Sequence, residues 1–210
     1  MKMSKEVITR SFEFDFETRE DQENGMGMVE GRPVVYDSKA DLGYFSEVIE
    51  RGALDCADLK DVRLCLNHDT SFVYARSRKN NENSTMRLKV DDKGLSFRAK
   101  LDIENSPKAK DFYSAISRGD ISQMSFMFTI DKEKWENLES DYPMRRIQAV
   151  GKVFEISAVA FPAYAATKIN ARDKETLDRA KVALDNARRQ SLDNEKDILE
   201  LEKAKNRNIF

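Results

Sequence analysis

The chain has 210 residues with 36 basic and 38 acidic side chains, a formal net charge of −2 and 40% hydrophobic residues. This length and composition predict a folded chain with a sizeable core rather than a disordered or fibrous protein. The balanced charge disfavours duplex nucleic acid as a partner, because proteins that bind it usually carry a basic surface stripe. Cys56 and Cys65 are too few for a disulfide scaffold.

Neither a secretory signal nor a membrane-spanning segment is expected. The N-terminal residues MKMSKEVITRSFEF include no apolar run followed by a small-residue cleavage site. The longest mostly apolar stretch, 158–166, contains Pro162 and is much shorter than the roughly 20 residues that cross a bilayer. These features indicate a soluble protein of a reducing compartment.

Residues 1–172 contain short alternating segments rich in Val, Ile, Phe and Tyr, which are typical of strands. The segments 86–90 and 95–101 flank the turn-forming tetrapeptide DDKG and predict a hairpin with one buried face. In chain order, strands are expected at 29–36, 45–49, 62–66, 86–90, 95–101, 121–130 and 150–161, with a turn or short helix at 52–54.

One short amphipathic helix is expected after the hairpin. Ser106 is a typical N-cap, Pro107 suits the first helical position, and Gly119 is a C-terminal stop. Many strands with one or two helices predict a mainly β, α+β domain, in which a barrel or curled sheet carries helices on its outside. The apolar face of the helix has the spacing i, i+3, i+4, i+7 and consists of Ala109, Phe112, Tyr113 and Ile116.

The composition changes sharply near Arg172. Residues 173–207 contain many charges but no Gly, Pro or aromatic residue, so we expect a domain at 1–172 and a charged helical tail at 173–210. The tail has a weak 3.5-residue apolar period with polar residues at its centre. A short coiled coil, a broken helix pair and a solvated helix that packs only on binding all stay open. The period comprises Leu177, Ala180, Leu184, Ala187, Ser191, Asn194, Ile198 and Leu201.

His68 is the sole histidine, so any imidazole chemistry depends on it, although a lone histidine is more often structural than catalytic. It follows the predicted strand 62–66, where a rigid element presents a side chain at its end. Cys56, Cys65 and His68 have the spacing of no common zinc site, and Cys65 and His68 lie on opposite sides of an extended strand. No metal is therefore expected. The glycine motifs that bind nucleotide phosphates are absent as well, so no cofactor is expected.

Glu155 interrupts the apolar strand 150–161. Strand alternation places its carboxylate on the same apolar face as Val153 and Val159. A buried carboxylate needs a partner, because an unpaired buried charge costs several kcal/mol. Two kinds of partner stay open: an arginine such as Arg76 or Arg146, and the imidazole of His68.

Ser125 interrupts the apolar strand 121–130 in the same way. A serine nucleophile needs a base that accepts its proton and a third group that orients the base. Ser122 is a rival nucleophile, but its odd separation from Ser125 places the two hydroxyls on opposite faces of a strand. Only one of them can face His68.

Three segments in this order carry a family resemblance: LNHD at 66–69, GDISQMSFMF at 119–128 and FEISAVAFPAY at 154–164. Together they resemble the caudoviral prohead serine proteases, the capsid-maturation proteases of tailed phages, over about residues 29–172. His68 matches the motif histidine of that family, Ser125 its nucleophile and Glu155 its acidic member.

The resemblance implies a herpesvirus-assemblin-like β-barrel surrounded by helices. It also implies a serine endopeptidase that cleaves segments of the scaffold protein, the major capsid protein and its own chain inside the phage procapsid, in the host cytoplasm. Ser125 would attack the peptide carbonyl, His68 would carry the proton and Glu155 would orient the imidazole. No nucleic acid or membrane partner is implied, and a homo-oligomer stays open.

A non-enzymatic function is the alternative: a capsid-assembly or scaffold module with a partner-binding helical tail. The two functions differ in what they require of His68, Ser125 and Glu155. Catalysis requires these side chains to converge within hydrogen-bond reach, whereas an assembly module does not.

Overall fold

A computed structural model describes residues 7–13, 16–21, 25–160 and 171–207 of the chain. Residues 161–164, which end the third family motif, lie outside the described residues, as does the rest of the apolar stretch to 166. The elements are β1 (Val7–Glu13), β2 (Glu17–Asp21), β3 (Met26–Val35), β4 (Ala40–Asp41), β5 (Ser46–Ile49), β6 (Arg63–Leu66), β7 (Ala75–Arg76), β8 (Met86–Asp91), β9 (Gly94–Asp102), α1 (Pro107–Ser117), β10 (Gln123–Glu136), β11 (Met144–Val159) and α2 (Ala171–Arg207).

The strands form two sheets. The first has the order β1-β10-β11-β5-β4, with β6 joined to β11 and β7 joined to β6. In it, β10 and β11 form a long antiparallel hairpin, while β5 and β6 run parallel to β11. The second sheet is antiparallel with the order β2-β3-β9-β8. The mixed, mainly β fold is therefore confirmed, but the described strands form no closed barrel.

The β8–β9 hairpin has the predicted register, in which Asp91 pairs with Gly94 and Met86 pairs with Ala99. Alternating residues of both strands are buried, as a half-buried hairpin requires. Gly94 has a φ of +136°, and a Cβ there would lie 2.1 Å from the carbonyl oxygen of Val34. Only glycine fits this close approach of two backbones.

Helix α1 also forms as predicted. The Ser106 hydroxyl accepts a hydrogen bond from the backbone N–H of Ala109 at 3.3 Å, and Pro107 occupies the first turn. Gly119 follows the helix with a φ of +78°. The helix contacts β2, β3 and β9 and buries its apolar stripe against them.

One main core lies between the two sheets and α1. Apolar residues from β3, β8 and β9 meet apolar residues from β6, β10 and β11. Only one face of β10 and β11 packs into this core, because successive side chains of a strand point to opposite faces. The side chains on the other face can therefore be polar. The residues that β10 and β11 contribute are Met124, Phe126, Phe128, Ile147, Val150, Val153, Ile156 and Ala158.

Helix α2 confirms the predicted helical tail, and its two halves differ. Ala180 and Leu184 are buried in a small second cluster with Leu42 and Phe45. Arg188 donates hydrogen bonds to two backbone carbonyls of the β10–β11 connection, at 3.0 and 2.8 Å. The later apolar residues are exposed: Leu192, Ile198, Leu199 and Leu201. No helix in the described ranges combines the length and the apolar character needed to cross a membrane.

Candidate active site

The β10–β11 pair separates an apolar face from a polar one. Ser125 pairs with Ser157 across the two strands, so both side chains point to the same face. The flanking Phe126 and Ile156 belong to the main core on the opposite face. Glu155 is two residues from Ser157 and shares its face. All three polar residues are buried.

The predicted grouping of Glu155 with Val153 is wrong. The register of the pair shifts between Met127 and Phe128, so that Met127 pairs with Glu155 while Phe128 pairs with Val153. This irregularity adds a residue to β11 and breaks the simple alternation of faces. Val153 therefore packs into the main core, whereas Glu155 lies on the polar face.

His68 lies in a tight turn at the end of β6. The backbone N–H of Asp69 donates to the carbonyl of Leu66 at 2.9 Å, and Asn67 and His68 have φ values of 50° and 62°. Positive φ at both central positions is the signature of a type I′ turn, and asparagine and histidine are among the non-glycine residues that tolerate it best.

Asn67 ties this turn to the end of β11. Its N–H donates to the carbonyl of Ala158 at 2.9 Å, and its side-chain oxygen accepts the N–H of Ala160 at 3.1 Å. Because β6 runs parallel to β11, the turn places His68 beside Glu155. These hydrogen bonds fix the turn that carries the imidazole to the end of β11.

His68, Glu155 and Ser157 form a closed ring of hydrogen bonds. The imidazole Nδ1 lies 2.5 Å from Oε1 of Glu155, and the Ser157 hydroxyl donates to the other carboxylate oxygen. The backbone N–H of His68 donates to the Ser157 hydroxyl at 3.2 Å. The role of Ser157 was not predicted from the sequence, although its position two residues after Glu155 on a strand indicates that the two side chains share a face.

The partner of Glu155 is therefore the imidazole rather than an arginine. Arg76 pairs with Asp61 at 2.5 Å, and Arg146 pairs with Glu136 at 2.9 Å. The hydrogen bond to Nδ1 leaves Nε2 as the nitrogen that can exchange a proton with another group.

Ser125 lies near this ring but is not joined to it. Its hydroxyl donates to the backbone carbonyl of Arg10 at 2.9 Å, and the side chain is fully buried. Among the described residues, no hydrogen bond connects the Ser125 hydroxyl with the His68 imidazole. Ser122 is exposed and precedes the first residue of β10. The structure thus brings His68 and Glu155 together and places Ser125 directly across from Ser157.

Cys65 lies on the strand next to this ring, paired with Ser157. Burial, helped by the negative charge of Glu155, raises the pKa of the Cys65 thiol to about 12. The thiol is therefore neutral at physiological pH and a poor nucleophile. In the described part of the chain, no group of three or more His, Cys, Asp or Glu side chains is arranged to hold a metal ion.

Comparisons with known proteins identify the family of this chain. No curated protein and no solved structure shows significant similarity to it. The sequence profile of the caudovirus prohead serine protease family, in contrast, matches residues 14–181. This match includes His68, Ser125 and Glu155 and covers most of the chain. The chain therefore belongs to the caudovirus prohead serine protease family.

Proposed function

We propose that this protein is a serine endopeptidase that cleaves segments of the scaffold protein and the major capsid protein, and also its own chain, during procapsid maturation. It acts in the procapsid interior, in the host cytoplasm. We also propose that the chain adopts the assemblin-like fold that the sequence resemblance implies. The observation that carries it is the hydrogen bond from His68 Nδ1 to the buried carboxylate of Glu155, on the sheet face that also holds Ser125.

In the proposed mechanism, Ser125 Oγ attacks the peptide carbonyl. His68 Nε2 accepts the hydroxyl proton and later returns it to the leaving amine. Glu155 fixes the tautomer of the imidazole through Nδ1 and compensates its positive charge. Because Ser157 hydrogen-bonds both to Glu155 and to the backbone of His68, it holds the pair in this orientation.

The mechanism requires the Ser125 hydroxyl to change its partner. In the structure it donates to the Arg10 carbonyl, whereas catalysis requires it to donate to His68 Nε2. A rotation about the side-chain bond of Ser125 between staggered rotamers would release its hydroxyl from the Arg10 carbonyl. Catalytic hydrogen bonds often form only when the substrate is bound.

We further propose that 1–172 is the protease domain and that 173–210 docks to proteins inside the shell. The exposed apolar residues in the second half of α2 support a docking role for the tail. Residues of the first half, such as Ala180 and Leu184, already pack on the β-rich domain. The docking surface therefore begins beyond Arg188.

The burial of Ser125 and its bond to Arg10 favour the second candidate function, a non-enzymatic capsid-assembly module. A single experiment separates the two functions. The chain is co-expressed with the major capsid protein of the same phage, and truncation of the capsid protein is measured by mass spectrometry.

We expect wild type and the control variant Ser122→Ala to process the capsid protein and Ser125→Ala to leave it intact. Processing by Ser125→Ala together with an inactive Ser122→Ala would transfer the nucleophile to Ser122. Intact capsid protein with all three chains would favour the assembly module.

A further inference from the structure

The strand β1 lies at the end of the first sheet, where it pairs only with β10 among the described strands. The two strands are antiparallel, in a register that runs from Val7 opposite Thr129 to Glu13 opposite Gln123. Addition of an extended segment to a sheet edge is a common way to bind a polypeptide, because the backbone supplies the hydrogen bonds. The edge of β10 that β1 covers includes Ser125.

β1 places a peptide group at the candidate nucleophile. Ser11 stands opposite Ser125 in the register, and the carbonyl oxygen of Arg10 lies 2.9 Å from the Ser125 hydroxyl. A protease must bring a substrate peptide group to the same position. The backbone of β1 therefore occupies the position at which the proposed function requires the backbone of a substrate.

The side chain of Arg10 enters a built site on the core side of the sheet. Its guanidinium donates two hydrogen bonds to Glu47, one from Nε and one from Nη2 at 2.9 Å. Arg10 and Glu47 are 6% and 2% exposed, so the pair is almost fully shielded from water. Two parallel hydrogen bonds between a guanidinium and a carboxylate are both strong and specific.

The charges around Arg10 favour a cation at its position. Besides Arg10, the site contains Glu47 and Glu133, both of which bind Arg145. Among the described residues, loss of Arg10 would leave Glu47 and Glu133 sharing the guanidinium of Arg145, so the buried Glu47 would carry an incompletely compensated negative charge. Because such a charge is costly when buried, the site favours a basic side chain over an apolar one.

We propose that β1 occupies the substrate groove of this enzyme. The substrate is an extended polypeptide that pairs antiparallel with β10. A basic side chain takes the place of Arg10 and binds Glu47, and the carbonyl of the same residue lies at Ser125. This inference rests on the proposed function of Ser125, and it means that β1 and substrate compete for one edge.

Binding is tested without catalysis, in full-length chains that carry Ser125→Ala. The probe is a labelled peptide with the sequence of residues 7–13, VITRSFE, and its control has Leu in place of Arg; binding is measured by fluorescence anisotropy. Arg10→Glu in the chain weakens the pairing of β1 with Glu47, so this variant should bind the Arg peptide at least tenfold more tightly than the chain that retains Arg10. It should also prefer the Arg peptide to the Leu peptide about tenfold, and Glu47→Gln should remove that preference.

A second measurement needs no change in β1. Millimolar VITRSFE peptide added to the Ser125→Ala chain should accelerate amide hydrogen exchange at residues 7–13 at least twofold, because the peptide displaces β1. Unchanged exchange, or equal binding of the Arg and Leu peptides, would overturn the inference and make β1 an integral strand. Capsid processing by Ser125→Ala would instead overturn the proposed function, so the two failures are distinguishable.

Discussion

The two faces of the β10–β11 pair differ in chemistry although the same strands build both. The core face carries large apolar side chains such as Phe126 and Ile156, which pack against the second sheet. The opposite face carries Ser125, Ser157 and Glu155, which are equally buried but joined by hydrogen bonds or directed to backbone groups.

This difference follows from the period of two along a strand. Every second residue supplies burial that stabilises the fold, and the residues between them can be polar if each finds a partner. Substitutions on the core face should therefore change stability, whereas substitutions on the polar face should change chemistry.

The largest effects on activity and on stability are expected from substitutions of the adjacent residues Ser125 and Phe126. Ser125→Ala should lower peptidase activity by at least about 10⁴-fold, because it removes the nucleophile, but should cost only about 1 kcal/mol of stability for one lost hydrogen bond. Phe126→Ala should cost about 3–5 kcal/mol of stability because it leaves a cavity in the core. Urea unfolding followed by circular dichroism, together with peptide cleavage, measures both quantities. Equal losses of stability in the two variants would contradict the division between faces.

Glu155→Gln should have the next largest effect. An amide can hydrogen-bond His68 but does not hold the required tautomer or compensate the imidazolium charge, so the rate should fall by about 10³–10⁴-fold. Cleavage of a capsid-derived peptide under saturating conditions gives this rate. Glu30→Gln is the matched control, because Glu30 pairs with Arg98 in the second sheet, and its rate should stay near that of wild type. A Glu155→Gln chain with wild-type activity would remove Glu155 from the mechanism.

The elements with strong local signals could be predicted from the sequence. The β8–β9 hairpin and α1 occur where alternation, the N-cap Ser106 and the stop Gly119 indicated them. Both elements depend on contacts between residues that are close in the chain. The strands 62–66 and 150–161 were also predicted, from the apolar pattern of each segment, although β11 begins earlier, at Met144. Its early part, like the end of β10, contains charged residues that hide the strand pattern.

The remaining features depend on contacts between distant parts of the chain. The strand β1 was not predicted, because the charged Arg10 stands on its core side and is explained only by Glu47, which lies far away in sequence. The role of Ser157 likewise depends on the turn that holds His68. For Glu155, the sequence left an arginine and the imidazole equally open, and only the parallel pairing of β6 with β11 distinguishes them.

Ser157→Ala, on the polar face, should lower activity less than Glu155→Gln. Loss of the hydroxyl frees one oxygen of Glu155 and the N–H of His68, so the turnover rate should fall about 10- to 100-fold with KM nearly unchanged. Ser46→Ala is the matched control. Its hydroxyl is buried without a hydrogen-bond partner among the described residues, so its removal should change neither rate nor KM. A rise in KM alone would show that Ser157 acts on substrate binding rather than on the position of His68 and Glu155.

The smallest effect concerns an ion pair outside both faces, which serves as a reference for acid sensitivity. Arg32 binds Asp91 with two hydrogen bonds of 2.7 and 2.8 Å, and these hold the pKa of the Asp91 carboxyl well below its usual range. A carboxyl whose pKa is lowered by folding stabilises the protein above its unfolded-state pKa of about 3.9, and this contribution is lost as the pH falls toward the folded value. Wild type should therefore exceed Arg32→Gln by about 1 kcal/mol in free energy of unfolding at pH 6, and the difference should shrink progressively below about pH 4. Urea unfolding of both chains at constant ionic strength from pH 6 to pH 2 measures this difference, and a constant value across that range would show that Asp91 does not contribute through its charge.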